Sequence, residues 1–201
     1  MKYSLLLLFC TLPMCGQSVS FGIKAGVPLT DALPVYSDSR YSVATQRWTA
    51  GVTAELGLPA SLSVGADVLY RRFSWAYSDT NPPGSSASNI GHWELPVYAK
   101  YRFGGQLARP FVEAGFDFDL AHASTAFTSA MLTTTVSGSS SSSQWGRGFL
   151  VGGGVEIKVP LLKIAPEVRY TRWQKGVFQD SPSVVGGSER NQLEILVGVR
   201  F

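Results

Sequence analysis

Apolar and polar residues alternate with a period of two along eight separate segments of this chain, and no apolar run approaches the length of a membrane-spanning helix. Successive side chains of a strand point to opposite faces, so this pattern specifies amphipathic β-strands, each with one apolar and one polar surface. The fourth segment is the clearest. Trp93, Leu95, Val97, Ala99, Tyr101 and Phe103 stand on one face, and His92, Glu94, Tyr98, Lys100 and Arg102 on the other. The same reading gives strands beginning near Val19, Trp48, Leu62, Val112, Phe149, Leu162 and Leu193, the last ending in Phe201.

The connections between these strands alternate in length. Three are turns, at 57–60, 104–108 and 160–161. Four are long and polar, at 28–46, 78–91, 121–145 and 174–190, and the third contains the low-complexity run 137–143, which reads as flexible. Long loops are uncommon inside a compact soluble domain. Their alternation with short turns, on an even number of strands, is the pattern of an up-and-down transmembrane β-barrel with short periplasmic turns and long extracellular loops. The expected fold is therefore all-β, an eight-stranded antiparallel up-and-down transmembrane barrel with both termini in the periplasm.

The first 17 residues read as an export signal, with Lys2 before the apolar stretch 5–12 and a Pro13 breaker after it. Residues 18–201 are then the barrel. Cys10 and Cys15 are the only cysteines and both fall in the signal, so the exported part has no disulfide. Lipidation at Cys15 is disfavoured by Met14, which stands where a small residue is expected. Two further features agree with a membrane barrel. Trp48, Trp75, Trp93, Trp145 and Trp173 fall near the loop ends of strands, and Phe21, Tyr101, Phe103 and Phe201 near the turn ends, as expected of two interfacial aromatic belts. Most strand charges keep to the polar face; Arg72 and Arg172 break this rule only near strand tops.

At this level the chain resembles the small outer-membrane β-barrel proteins of diderm bacteria, the eight-stranded OmpA/OmpX-like group. The resemblance rests on the exported N-terminus, on Glu94-Leu95-Pro96-Val97-Tyr98-Ala99-Lys100-Tyr101-Arg102-Phe103, and on the last strand with its terminal Phe201. It implies residence in the outer membrane with lipid as a partner. The terminal aromatic is similar to the assembly signal read by the barrel assembly machinery, which gives Phe201 that role. The resemblance is nearly silent on molecular function.

If the apolar face meets lipid, the polar face fills the interior. It carries Glu55, Asp67, Glu94, Glu113, Asp117, Asp119, Glu156, Glu167 and Glu194 against Lys24, Arg71, Lys100, Arg102, Lys158, Lys163, Arg169 and Arg200. An eight-stranded barrel is just wide enough to be filled by side chains. Unpaired buried charges are costly, so these groups are expected to pair into a structural network. Glu55, Asp67, Arg71, Glu94, Lys100, Arg102, Glu113, Asp117, Glu167 and Arg169 are its principal expected members. The alternative use of the same network is a narrow path for ions or small solutes.

Other classes are excluded or weak. With 17 basic and 14 acidic residues there is no phosphate-tracking surplus, so nucleic acid is not an expected partner. No nucleophile elbow, metal-ligand spacing or phosphate loop occurs, and no cofactor or metal is expected. His122-Ala123-Ser124 is similar to the His-x-Ser pair of outer-membrane lipid A deacylases. No acid occurs between Asp119 and Glu156 to complete a triad, so an enzyme is not expected. His92 reads as a structural partner of Glu94. A soluble lipocalin-like barrel would call for a Gly-x-Trp near the first strand and a terminal helix, and neither is present. The remaining expectation is a structural role or contact with a surface ligand through the long loops, which display Tyr36, Tyr41 and Phe178.

Overall fold

A computed structural model describes residues 18–30, 41–45, 48–80, 83–131, 134–174 and 190–201. The expected export signal, Tyr36 and Phe178 lie outside them. The strand segments are β1 (Val19–Pro28), β2 (Tyr41–Thr45), β3 (Thr49–Gly57), β4 (Leu62–Thr80), β5 (Pro83–Arg102), β6 (Ala108–Met131), β7 (Thr134–Lys158), β8 (Lys163–Trp173) and β9 (Asn191–Arg200). Every pairing is antiparallel. β3 to β9 pair in sequence order, and β1 closes the circle by pairing with both β3 and β9. β2 pairs with β4 above the stretch paired to β3, so the two segments share one position and the barrel has eight staves. Closure leaves no sheet edge within the barrel.

Three short connections, 58–61, 103–107 and 159–162, gather at one end of the barrel with the start of β1 and the end of β9. This is called the turn end, and the opposite one the hairpin end. Ala60 and Ser61 occupy left-handed backbone conformations, with φ of 61° and 62°. The Leu62 amide donates to the Pro59 carbonyl at 3.4 Å. A two-residue connection of this kind matches the twist of the strands it joins, but it normally carries Asn-Gly rather than Ala-Ser.

The alternation of the sequence becomes an alternation of surfaces. Ile23, Val52, Val64, Val68, Val97, Phe116, Val151, Val168, Ile195 and Val197 are exposed around the outer wall, whereas their chain neighbours are buried or half-buried on the lumen side. Glycines make room where an interior ring crosses a neighbouring stave. A Cβ at Gly65 would lie 2.5 Å from the Tyr98 ring, and one at Gly154 would lie 2.9 Å from the Phe111 ring.

The structure differs from the sequence reading at the hairpin end. Residues 78–91 and 121–145, expected as long loops, are almost wholly strand. β4 and β5 pair as far as Thr80↔Pro83, and β6 and β7 as far as Met131↔Thr134. The run 137–143, expected to be flexible, lies within β7 and pairs with β6, from Ser137↔Thr128 to Ser143↔His122. The reason is physical. Ile90 and Ala121 at their base are still buried, but higher up Ser139 to Ser141 are exposed on both faces and carry no alternation, yet the barrel below fixes the register and the strands need only continue the ladder upward.

Candidate functional site

The lumen is built from the inward positions of every stave. All nine predicted acids are buried, as are Lys24, Arg71, Lys100, Arg102, Arg169 and Arg200. Lys163 is half-buried and Lys158 exposed, both at the turn-end mouth.

The buried groups meet in three tiers across the axis. In the lowest, Arg102 of β5 and Arg200 of β9 both engage Glu55 of β3 and Glu156 of β7. Arg102 Nε donates to Glu156 Oε2 at 2.9 Å and Arg102 NH1 to Ser63 Oγ at 2.8 Å, while both arginines bond Glu55. In the middle tier, Lys24 of β1 reaches Asp67 of β4 at 2.8 Å and Glu167 of β8 at 2.9 Å. Arg169 of β8 lies 2.9 Å from Asp67, 3.1 Å from Glu113 and 3.0 Å from Glu167. Lys100 adds a 3.1 Å contact to Glu113. The Tyr98 ring stands among these cations, with Lys24, Lys100 and Arg169 5.2, 5.1 and 5.2 Å from its centroid, and its hydroxyl donates to Asp67 at 3.0 Å. A cation over an aromatic face gains electrostatic attraction that strengthens when desolvated.

The upper tier is organised by Arg71, which donates to Glu94, to Glu194 at 3.0 Å and to Gln192 at 2.9 Å. His92 lies with Nδ1 3.2 Å from Glu94 and Nε2 2.9 Å from Asp119. The expected neighbour Glu94 is thus present, and Asp119 joins it from the next stave. Asp117 is buried but makes no ion pair among the described residues. Leu69, Ile90, Phe111, Leu150 and Leu196 are large apolar residues buried on the inward face that were not singled out from the sequence as interior groups. The period-two parity of their strands would have placed them.

The outer wall carries the aromatic belts with one correction. Trp48 and Trp93 are exposed at the hairpin side and sandwich Tyr70, with ring centroids 6.5 and 4.9 Å from it, and Trp145 is exposed on β7. Trp173, expected in this belt, is only 3% exposed and points into the lumen, where its indole N–H donates to Gln192 at 3.0 Å. It shares parity with the buried Glu167, Arg169 and Thr171, whereas Arg172 takes the outward position. The Trp75 side chain lies outside the described residues. At the turn side, Phe21, Tyr101, Phe103 and Phe201 are exposed, with Tyr101 and Phe103 5.1 Å apart edge to face.

The matched family model is described as an outer membrane protein beta-barrel domain and covers residues 15–172. The chain belongs to this family. Its apolar residues form an exposed band around the outer wall of the barrel. Among solved structures, the chain is similar to neisserial surface protein A, at 14% identity and a TM-score of 0.47 over 92% of this chain and 97% of that one. It is also similar to OprG of Pseudomonas aeruginosa, at 10% identity and a TM-score of 0.45 over 92% and 95% of the two chains. Ail of Yersinia pestis matches at 11% identity and a TM-score of 0.42, over 92% and 97%. No curated protein matches the chain.

Above the belts, β4 to β7 rise as one continuous sheet with β2 at its edge, since β5 and β6 stay paired up to Gly84↔Ser129. Ser139, Ser140 and Ser141 are exposed in succession, so both faces of this extension meet solvent. Phe127 is exposed on it and lies over Gly138. His122 Nδ1 is 2.7 Å from Ser143 Oγ across the β6–β7 ladder. Among the described residues no carboxylate orients it, and Ser124 is not its partner.

Proposed function

We propose that this chain is a non-enzymatic outer-membrane protein whose charge-filled barrel anchors a β-sheet extension that contacts partners outside the cell. The observation that carries the reading is the extension itself. Residues 121–131 of β6 and their partners on β7 continue the barrel ladder beyond the aromatic belt, a reach of about 35 Å at the usual rise per strand residue. A rigid scaffold that presents variable polar surface is a common way to carry recognition. Here the presenting elements are hairpins rather than loops, rich in Ser and Thr and bearing the exposed Phe127.

The filled lumen supports an anchoring role over a conducting path. Ion pairs cross the axis in each tier, and the large side chains Arg71, Arg169, Tyr98, Leu69 and Leu196 are fully buried there. A cross-linked network of this kind is consistent with the role assigned to Glu55, Asp67, Arg71, Glu94, Lys100, Arg102, Glu113, Glu167 and Arg169, whereas Asp117 shares the lumen without joining an ion pair among the described residues. In this reading the turn end and both termini face the periplasm, and Phe201 serves assembly.

Orientation is tested with single thiols, which a chain lacking cysteine after residue 15 makes straightforward. A membrane-impermeant maleimide on intact cells should label Ser139→Cys and leave Ser61→Cys untouched until the outer membrane is opened. Labelling of Ser61→Cys on intact cells would invert the reading. Shortening the β6–β7 hairpin by removing 124–141 should abolish binding of cells to host or abiotic surfaces while the barrel still shifts on unboiled gels. Unchanged binding would remove the hairpin from the function.

A further inference from the structure

The turn-end mouth holds an unbalanced set of charges. A cavity of about 310 Å³ opens there, lined by Ser20, Ser61, Glu55, Arg102, Arg109, Glu156, Lys158 and Lys163 among others. Its two carboxylates are already occupied, each bonded by both Arg102 and Arg200. That quartet is neutral. Arg109, Lys158 and Lys163 remain above it as three cations, and among the described residues none of them has an ion-pair partner.

Their placement sharpens the imbalance. Lys158 and Lys163 face each other directly in the β7–β8 register, and Lys163 faces Arg200 in the β8–β9 register. Like charges set directly opposite on one face destabilise a sheet. All three lie on inward positions, in phase with the buried Glu156, Glu167 and Arg200. Arg109 lies on the inward side of β6, in register with Glu156; its NH2 reaches Ser61 Oγ at 3.4 Å, and its Nε is buried with no hydrogen-bond acceptor. An unsatisfied guanidinium N–H, two opposed ammonium groups and hydroxyls from Ser20 and Ser61 thus converge on one polar cavity.

We propose that this mouth is a binding site for phosphate-class oxyanions, with Lys158, Lys163 and Arg109 as its ligands and the Arg102–Glu55–Arg200–Glu156 quartet as its floor. A phosphate-class oxyanion accepts charge-assisted bonds from several donors at once and offsets the repulsion between the two lysines. The lining excludes a metal cation, because its carboxylates are consumed and its free groups are positive. The assignment of the source rests on the reading that the turn end faces the periplasm: the oxyanion is either a solute of that compartment or the phosphodiester of an inner-leaflet lipid. The binding chemistry is independent of that orientation.

The test uses the refolded barrel in zwitterionic micelles, titrated with inorganic phosphate at constant ionic strength and followed by backbone amide shifts. Saturable shifts should concentrate at 61, 109, 158 and 163. Lys158→Gln with Lys163→Gln should weaken binding by at least about tenfold through the loss of two charge-assisted contacts. Lys158→Glu should abolish it while raising thermal stability, because Lys163 then gains a partner; this variant keeps the test informative if the double variant folds poorly. Arg72→Gln, Arg147→Gln and Arg172→Gln, on the outer wall, should bind as the parent does. Nanodiscs with and without phosphatidylglycerol separate the sources: competition by this lipid against free phosphate identifies a headgroup, and equal affinity in both identifies a solute. Absence of saturable shifts, or binding unchanged in the double lysine variant, would overturn the proposal. The thiol-labelling experiment reports on orientation separately.

Discussion

Arg169→Met isolates the energetics of the lumen. Arg169 is fully buried and its guanidinium contacts Asp67, Glu113 and Glu167 at 2.9, 3.1 and 3.0 Å. The middle tier balances Lys24, Lys100 and Arg169 against these three carboxylates. At an effective dielectric constant of about 20, each contact near 3 Å has a gross attraction of about 5.5 kcal/mol. Most of this is offset by desolvation of the charges. What the substitution exposes is the stranded carboxylate, because three acids then face two lysines; breaking a buried pair in this way costs about 3–5 kcal/mol. With an m value of about 3 kcal/mol per molar, the urea midpoint should fall by about 1–1.7 M. The assay is urea unfolding in phosphatidylcholine vesicles, scored by the folded band on unboiled gels. Glu167→Gln alone should also destabilise, by leaving a surplus cation. The double variant restores two against two and should cost at least about 2 kcal/mol less than the sum of the single variants. Additivity within about 0.5 kcal/mol, or a single-variant loss below about 1 kcal/mol, would refute the account of the lumen as a charge-balanced network.

Other consequences follow from single residues. Tyr98→Phe, which deletes the bond to Asp67, should cost about 1–2 kcal/mol, and Tyr98→Leu more, because the cations also lose the ring face; equal losses would remove the cation–π contribution. Brominated lipids should quench single-tryptophan variants retaining Trp48 or Trp93 and leave one retaining only Trp173 unchanged; quenching of the last would place it outside the lumen. Val168→Arg on the lipid face should cost about 2–4 kcal/mol in vesicle unfolding, and a neutral result would move that band out of the membrane core. Ala60→Asn with Ser61→Gly should stabilise by about 1–2 kcal/mol by removing left-handed strain at two residues, measured by the same urea assay.

How much of this was legible in the sequence depends on whether a residue meets two different surroundings on its two sides. In the barrel wall it does, and period-two parity placed all nine acids and six of the eight bases in the interior. Lys158 and Lys163 have the right parity, but the lumen ends at the mouth, where parity no longer implies burial. Trp173 went to the belt because residue type was given precedence over parity; its neighbours Arg169 and Thr171 would have put it inside. The hairpins above the belt were illegible for a different reason. Ser139 to Ser141 are solvated on both faces, so no alternation exists to be read, and their strand conformation is inherited from the register of β6 and β7 below.

Charge is distributed along the barrel axis in a way that bears on whether the lumen conducts. Among the described residues, the hairpin side sets Glu94, Asp117, Asp119 and Glu194 against Arg71 and His92. The middle tier is balanced, and the turn-end mouth sets Arg102, Arg109, Lys158, Lys163 and Arg200 against Glu55 and Glu156. A cation moving along the axis would be held at the first end and repelled at the second; an anion would meet the reverse. Between them, either would have to displace Lys24 and Arg169 from carboxylates they bridge across the lumen. Conduction favours sites of one sign weak enough to leave, whereas these tiers alternate strong traps of opposite sign. The arrangement therefore suits a plugged barrel with an acidic tier buried beneath the sheet extension and a basic mouth at the turns.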